Sequence, residues 1–262
     1  MFFVKILDFL FARIYFYKLN IILLKIILRF LGFNHHGNLK ESGEVLFLNK
    51  ICKENPLVCI DIGAYVGDYS KYILENSNSS VYAFEPILKS FKKLNKYKKV
   101  YSKRFFVFNE AISDKIGHKK IYLDKKNLHW SSLDTEIKSI NYLKDVKNYE
   151  TCKVNTLDNF LKKNKNLLKK KITLIKIDTE GHEYEVILGA KNLIKKLSPK
   201  YIQIEYNWHH LFKNVNLYKF SKLLKDYEVF KIFPFNKELL KIDPTRPEHN
   251  YFNYSNIIFK KK

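Results

Sequence analysis

Short β-rich runs separated by helical stretches are the feature that most constrains how this chain folds. The runs are, in chain order, residues 58–60, 81–84, 105–108, 172–177 and 201–204. Helical stretches lie between several of them and begin near Asp68, Ile87 and Glu183. This alternation predicts an α/β, Rossmann-like fold: a mostly parallel twisted sheet with helices on both faces. Ligands of such sheets bind at the carboxyl ends of the strands.

Two stretches interrupt the alternation. Residues 115–170 form a long lysine-rich insertion, in which we expect one strand at 120–123 and a further segment at 154–158. The C-terminus predicts two strands, 227–232 and 251–259, joined by a proline-containing loop, with the last strand antiparallel. We therefore divide the chain into an N-terminal segment, 1–44, and an α/β domain, 45–262.

The net charge of +22 raises the question of nucleic-acid binding. Only four of the 48 basic residues are arginine, whereas specific nucleic-acid readers favour the planar guanidinium. Scattered lysine favours a solvated surface, and an RNA acceptor stays an alternative. Cys52, Cys59 and Cys152 lack CxxC spacing, which predicts neither a disulfide nor a zinc site and fits a reducing compartment.

Residues 1–31 are apolar, but charged residues recur among them. No apolar run reaches the roughly 18 residues of a spanning helix, and no signal-peptide cleavage site follows. Lys18, Lys25 and Arg29 share one face of a helix, which is typical of a helix lying in a membrane interface. We predict a cytoplasmic protein held at the inner face of the cell membrane by residues 1–31. The alternative is a helical hairpin packed on the α/β domain.

A glycine turn closes the first strand at residues 60–68. Gly63 and Gly67 allow a tight turn and a close approach to the backbone. The helix that follows favours a carboxylate at its N-terminus, and Asp61 can accept a hydrogen bond from an ammonium group. An amino-acid cofactor carries both groups, whereas the GxGxxG fingerprint of dinucleotide sites is absent.

Polar residues also end the next two strands. Glu85 follows the second strand, where an acidic side chain accepts hydrogen bonds from two ribose hydroxyls. Asn109, Glu110 and Ala111 follow the third strand, where we expect an adenine ring, although Asn109 is also a common turn residue.

The stretch from Lys176 to Glu183, Lys-Ile-Asp-Thr-Glu-Gly-His-Glu, ends a strand and begins a helix. It resembles the signature of the FkbM family of methyltransferases. Matching motifs occur in the expected order along the chain. They are Asp-Ile-Gly-Ala at 61–64, Phe-Glu-Pro at 84–86, Ala-Ile-Ser-Asp at 111–114, Ser-Ser-Leu at 131–133, Asn-Thr-Leu-Asp at 155–158 and Ile-Glu at 204–205. Tyr65 departs from the pattern, since most family members have asparagine there.

The resemblance implies a class I methyltransferase that uses S-adenosylmethionine and methylates an oxygen on acceptors that include sugars. Ten residues are expected to bind this cofactor. They are Asp61, Gly63, Ala64, Tyr65, Gly67, Glu85, Asn109, Glu110, Ala111 and Asp178.

Asp178, Glu180 and His182 are the predicted catalytic residues at the fourth strand tip. We expect Asp178 to organise the cofactor and acceptor and His182 to act as base, because imidazole titrates near neutrality. Other readings remain open for each of them. Asp178 could hold a loop, Glu180 could bond backbone N–H groups around Gly181, and His182 could be an exposed helix residue.

Six further residues are expected to contact the acceptor, with the insertion covering it. They are His129, Trp130, Ser131, Glu205, His209 and His210. The two adjacent histidines equally fit a polar helix start. We predict no metal, because the spacing of the acidic residues is not a ligand signature.

These features predict an O-methyltransferase that acts on a sugar hydroxyl of a surface glycan or its lipid-linked precursor, with nucleic acid unlikely as a partner. The alternatives are an RNA methyltransferase and a non-catalytic membrane-associated scaffold with a degenerate methyltransferase fold.

Overall fold

The computed structural model describes residues 2–55, 58–123, 131–133 and 148–262. Eleven strands are described in these ranges. In chain order they are β1 (Val58–Ile62), β2 (Ser80–Phe84), β3 (Phe105–Phe108), β4 (Ala111–Ile112), β5 (Gly117–Leu123), β6 (Asn148–Asn155), β7 (Ile172–Ile177), β8 (Tyr201–Tyr206), β9 (Tyr227–Lys231), β10 (Leu240–Lys241) and β11 (Ser255–Lys261).

The α-helices alternate with these strands over much of the chain. They are α1 (Phe2–Phe11), α2 (Tyr17–Phe30), α3 (Glu44–Lys53), α4 (Asp68–Asn76), α5 (Leu88–Val100), α6 (Leu157–Lys163), α7 (Glu183–Leu188), α8 (Lys191–Leu197), α9 (His209–Phe212) and α10 (Leu217–Leu223). Short 3-10 helices occupy Ile14–Phe16, Lys165–Lys169 and Pro247–His249.

The main sheet has the strand order β10-β9-β11-β8-β7-β1-β2-β3. Its central strands β8, β7, β1, β2 and β3 are parallel. The last strand, β11, lies antiparallel between β8 and β9. The predicted α/β architecture with an antiparallel C-terminal strand is thereby confirmed. The short strand β10, which the sequence does not predict, extends the edge by pairing with β9.

Both faces of the sheet are covered, so its parallel strands are apolar on both sides. Along β1, Ile60 and Ile62 pack with α6, α7 and α10 on one face. Cys59, the residue before Ile60, packs with α3 and α4 on the other face. This alternation explains why β1 is buried at every position and why Cys59 is a buried free thiol.

A second sheet, of order β4-β6-β5, joins two strands of the insertion to β4, which precedes it. The expected strand at 120–123 is the end of β5, which pairs antiparallel with β6. The expected segment at 154–158 divides in two: β6 ends at Asn155 and α6 begins at Leu157. Thr156 caps this helix, because its side chain accepts a hydrogen bond from the Asn159 N–H group.

Helices α1 and α2 form an N-terminal hairpin that packs little on the α/β domain. Its apolar side chains are exposed, as in Phe9 (70%), Ile14 (92%) and Phe30 (75%), and Leu28 is the buried member of α2. The alternative of a hairpin packed on the domain is therefore not what the structure shows. Among the described residues, every helix falls short of the length and apolar character that crossing a bilayer requires.

Candidate active site

A cavity of about 920 Å³ opens at the carboxyl ends of β1, β2, β7 and β8. Strand β1 is flanked by β2 on one side and β7 on the other. The connections that leave these strands run to opposite sides of the sheet, and a crevice forms where they diverge. The strand tips that the sequence singled out therefore share one edge of the sheet.

The turn after β1 fits tightly against the tip of β7. The N–H groups of Gly63 and Ala64 each donate to the carbonyl oxygen of Phe84, at 3.0 Å. Gly63 has φ +76°, and a Cβ atom there would lie 1.7 Å from the carbonyl oxygen of Asp178. Only glycine allows the two strand tips to come this close.

Glu85 lies in the cavity wall with its carboxylate fixed by backbone donors. Its two oxygens accept hydrogen bonds from the N–H groups of Tyr65 and Ile87, both at 2.8 Å. Burial raises the pKa of Glu85 to about 8, although these hydrogen bonds oppose the shift. The remaining lone pairs of this carboxylate can accept hydrogen bonds from hydroxyl groups of a ligand.

Tyr65 has a left-handed backbone, with φ +49°. Asparagine tolerates this conformation better than tyrosine does, which gives a backbone reason for the asparagine of most relatives. The backbone at this position still binds Glu85, since the Tyr65 N–H group donates a hydrogen bond to its carboxylate.

Lys176 lies at the base of the cavity, which we call the cavity floor, and neutralises part of the negative charge there. Its ammonium lies 3.0 Å from Asp178 Oδ2 and 3.6 Å from Asp61 Oδ1. Burial lowers the pKa of Lys176, but the charges of Asp178, Asp61 and Glu44 outweigh burial and raise it above its usual range. Asp61, expected to meet a cofactor ammonium, is instead buried beneath the cavity, where it contacts the ammonium of Lys176 and accepts a hydrogen bond from Ser70.

Three carboxylates converge on the cavity. Asp178, Glu180 and Glu205 each offer an oxygen within 4.8 Å of the others. Burial, followed by the charge of Asp178, raises the pKa of both Glu180 and Glu205 well above the usual range. Such a group can hold a cation, organic or metallic, and can accept protons from hydroxyl groups.

A buried contact between Glu183 and His210 holds the turn that carries these carboxylates. Glu183 Oε1 accepts hydrogen bonds from Thr179 N (2.8 Å), Thr179 Oγ1 (3.0 Å) and Gly181 N (3.3 Å). Its other oxygen lies 3.0 Å from His210 Nε2. Burial raises the pKa of Glu183, but the contacts with His210 and Thr179 outweigh it and lower the pKa to about 2.

Of the four histidines proposed for catalysis or acceptor binding, the three that the structure describes are not among the lining residues of the cavity. His182, the expected base, is buried and forms a 2.8 Å hydrogen bond with Ser113 Oγ, because the residue before α7 faces the chain that directly follows β4. His209 lies behind Gly181, with Nδ1 3.3 Å from Glu180 Oε2. His210 faces Glu183, so both adjacent histidines support the turn from outside the cavity.

The other predicted residues divide between the cavity and its supports. Those in the cavity wall are Gly63, Ala64, Tyr65, Glu85, Glu110, Ala111, Ser131, Asp178, Glu180 and Glu205. Gly67 caps α4 with φ +97°, and Asn109 donates to the carbonyl oxygens of Glu85 and Pro86. His129 and Trp130 lie outside the described residues.

Sequence reasoning missed several residues of the wall. These are chiefly Glu44, Lys176, Tyr254 and the segment 36–40. Lys176 had a signal, because it is the one charged residue in the apolar run of β7. The segment 36–40 had none, since its position depends on how the chain returns from the hairpin to α3.

The family follows from a match over most of the chain. The model of the methyltransferase FkbM domain matches residues 61–243. The chain belongs to this family. It is an S-adenosylmethionine-dependent methyltransferase with the class I α/β fold.

Solved structures of other methyltransferases resemble the chain only in general fold. Precorrin-6y C5,15-methyltransferase from Geobacter metallireducens is 13% identical, with 87% of this chain and 92% of that chain covered and a TM-score of 0.42. Ribosomal protein L11 methylase from Lactobacillus delbrueckii is 10% identical, with 87% and 81% covered and a TM-score of 0.41. Magnesium protoporphyrin IX methyltransferase from Synechocystis is 9% identical, with 85% and 81% covered and a TM-score of 0.41. A comparison with curated proteins gives no match.

The residues of the cavity fit the chemistry of S-adenosylmethionine. Near Glu85 the wall is apolar, with Ile87, Ala111 and Ile112, which suits an adenine ring beside a ribose. The opposite end is acidic at Asp178, which suits the ammonium and sulfonium charges. When bound, the cofactor supplies an electrophilic methyl group, and the protein orients the acceptor and accepts its proton.

Proposed function

We propose that this enzyme methylates a hydroxyl group of a sugar, in a surface glycan or its lipid-linked precursor, while held at the inner face of the cell membrane. The observation that carries the proposal is the group of three carboxylates at the end of the cavity away from Glu85. Asp178, Glu180 and Glu205 can accept hydrogen bonds from several neighbouring hydroxyls, as a sugar presents. Trp208, in the same wall, offers an aromatic face to a sugar ring.

The same group supplies the base that a sugar hydroxyl requires. A positioned base contributes about 10²–10⁴-fold to such a transfer. Glu180 and Glu205 line the cavity and have raised pKa values, so each binds a proton more readily than an ordinary carboxylate. In this proposal one of them accepts the hydroxyl proton, and the role first expected for His182 passes to a carboxylate.

The acidic cavity also weighs against RNA as the acceptor. The net charge of +22 attracts phosphates in general. However, the cavity wall sets the acidic side chains of Glu44, Asp178, Glu180 and Glu205 around a single lysine, Lys176, which is a poor match for a phosphate backbone at the point of transfer. Any RNA binding should therefore be non-specific, steeply salt-dependent and without methyl transfer.

The transfer is tested with labelled S-adenosylmethionine and fractions of the source cells. We expect label in carbohydrate, recovered as an O-methyl sugar after acid hydrolysis, and no label when the Glu85→Ala variant replaces the enzyme. The Glu75→Ala variant is the control, since Glu75 is exposed in α4 and forms an ion pair with Lys71 one turn away on the same helix. Label confined to RNA or protein would overturn the proposal.

The membrane part of the proposal rests on the exposed apolar hairpin and its charge. Residues 1–31 contain five basic residues and one acidic residue, a balance that favours an anionic lipid surface. Each large apolar side chain that enters the interface contributes about 1.5–3 kcal/mol.

Vesicles containing phosphatidylglycerol test this attachment. We expect the full chain to sediment with the vesicles and a variant lacking residues 2–26 to stay in solution with unchanged cofactor affinity. The deletion ends there because Leu28 is buried and the carbonyl oxygen of Leu31 accepts a hydrogen bond from Lys231. Equal sedimentation of both proteins would remove the hairpin from the proposal.

A further inference from the structure

The end of the hairpin is fastened to the rim of the cavity. Asn34 donates from its backbone N–H group to the carbonyl oxygen of Tyr254 (2.9 Å) and from its amide to Asn253 (3.1 Å). The Phe33 ring packs edge-on against Tyr251, with centroids 5.7 Å apart. Tyr254 itself lines the cavity. The hairpin and the cavity wall are therefore joined through the same few residues.

The chain then forms part of the wall before α3 begins. Residues 36–40 line the cavity. Asn38 Oδ1 accepts hydrogen bonds from the N–H groups of Lys40 (3.0 Å) and Glu41 (3.1 Å), which closes a local turn. The His36 ring stacks edge-on against Tyr254. We call residues 36–40 the rim turn, and its position is fixed on both sides.

Charge divides the cavity between this rim turn and the floor. The rim turn carries Lys40, which within the described ranges forms no ion pair, because the carboxylate of the neighbouring Glu41 accepts a hydrogen bond from the Asn38 amide instead (2.8 Å). The floor carries the carboxylates of Asp178, Glu180 and Glu205. A ligand with an anionic group outside and neutral hydroxyls inside matches this polarity.

We propose that the acceptor is a membrane lipid whose headgroup joins a phosphate to a sugar, with the phosphate at the rim turn and the sugar on the cavity floor. This inference rests on the proposed function. The membrane-bound hairpin holds the rim turn at the lipid surface, because only residues 31–35 separate α2 from it. A lipid headgroup then reaches the cavity without leaving the membrane, whereas a free glycan gains nothing from the hairpin.

The orientation on the membrane is tested with nitroxide labels on the full chain. One label replaces Lys40 at the rim turn, and a matched label replaces Lys196, an exposed lysine that precedes β8 at the opposite end of the sheet. Both are made in a Cys52→Ser background, since Cys59 and Cys152 are buried. On binding phosphatidylglycerol vesicles, the label at position 40 should gain relaxation by oxygen and lose relaxation by an aqueous nickel complex. The label at 196 should not change.

The acceptor chemistry is tested by partition of the methylated product. Labelled S-adenosylmethionine and membranes of the source cells should give label that extracts into chloroform and moves to water after mild acid cleavage of the phosphate. Lys40→Gln should lower this labelling about fivefold, the effect of one lysine at an anionic lipid surface, and Lys196→Gln should not.

The outcomes separate the two proposals. Label in water-soluble carbohydrate from the start keeps sugar methylation and overturns the lipid acceptor, as does vesicle binding with the label at 40 still facing water. Label in no carbohydrate fraction overturns the proposed function, and this inference falls with it.

Discussion

The cavity end of the sheet and the N-terminal hairpin place their side chains in opposite environments. At the cavity end, even charged side chains are buried and paired within the chain, as Lys176 is with Asp61 and Asp178. In the hairpin, apolar side chains such as Ile14 and Phe30 face outward. Buried charge needs internal partners, whereas exposed contiguous apolar surface indicates an external one. The contrast supports the proposal that the α/β domain is stabilised by its own contacts and that the hairpin binds a lipid surface.

The largest expected effect is on stability, from Gly63→Ala at the cavity end. The new Cβ would lie 1.7 Å from the Asp178 carbonyl oxygen, so the tips of β1 and β7 would have to separate. We expect the free energy of unfolding to fall by about 4 kcal/mol or more, measured by urea denaturation with circular dichroism.

Two matched alanine variants sharpen this test. Gly117→Ala meets no atom within 4 Å of its Cβ, so its cost is limited to the backbone strain at φ +158° and should be smaller than that of Gly63→Ala. Ile14→Ala, in the hairpin, should leave the unfolding free energy within about 0.5 kcal/mol of the parent. A large loss of stability in Ile14→Ala would mean that the hairpin belongs to the core, and the contrast between the regions would fail.

The next effect concerns the buried contact between Glu183 and His210, which supports the turn that carries Asp178 and Glu180. Glu183→Gln removes the charge that faces His210 and weakens the acceptor of three hydrogen bonds. Breaking a buried pair costs about 3–5 kcal/mol, and we expect a loss near 3 kcal/mol because glutamine keeps the shape.

Glu185→Gln provides the comparison for that variant. Glu185 lies two residues after Glu183 in α7 and forms an ion pair with Lys213, but the Glu185 side chain is partly exposed. Its loss should cost under about 1 kcal/mol. Equal losses in the two variants would show that Glu183 does not hold the turn in the way described.

The third effect is on cofactor binding. Glu85→Ala removes the carboxylate expected to accept the ribose hydroxyls and should weaken binding of S-adenosylhomocysteine roughly 100-fold by calorimetry, at about 1.5 kcal/mol for each lost hydrogen bond. The variant lacking residues 2–26 should bind as the parent does. If Glu85→Ala keeps the affinity of the parent and the deletion variant loses it, the cavity is not the site that binds this cofactor.

The sequence predicts the cavity end well where local pattern decides the structure. Strand β7 and the start of α7 at Glu183 agree with the predicted ranges because a short apolar run and a following polar turn are local signals. The fold class was confirmed for the same reason. A parallel sheet then brings every strand tip to one edge, which is how Glu85 and Asp178 could be placed together.

The partners across the sheet could not be read from the sequence. Asp61 faces Lys176 because β1 and β7 pair in the register that makes these residues neighbours, and register is not a local property. His182 turns toward Ser113 for a similar reason, since the chain after β4, distant in sequence, lies beside the first turn of α7. In the hairpin, apolar periodicity could not distinguish a helix packed on the α/β domain from one that binds a membrane surface, because both place apolar residues along one helix face.

The smallest effect is the pH dependence of cofactor binding. Burial raises the pKa of Glu85 to about 8, so the carboxyl group is mostly protonated at about pH 7 and mostly ionised at about pH 9. The ionised form is the better acceptor of ribose hydroxyls, and affinity for S-adenosylhomocysteine should therefore rise with pH, by about tenfold over this interval. Glu85→Gln cannot ionise, and titrations of the ligand are common to both proteins, so the ratio of their affinities isolates Glu85. The deletion of residues 2–26 should leave the profile unchanged, because no group of the hairpin lines the cavity within the described residues. A ratio that stays flat across this range would show that Glu85 is already ionised at neutral pH and that its backbone donors outweigh burial.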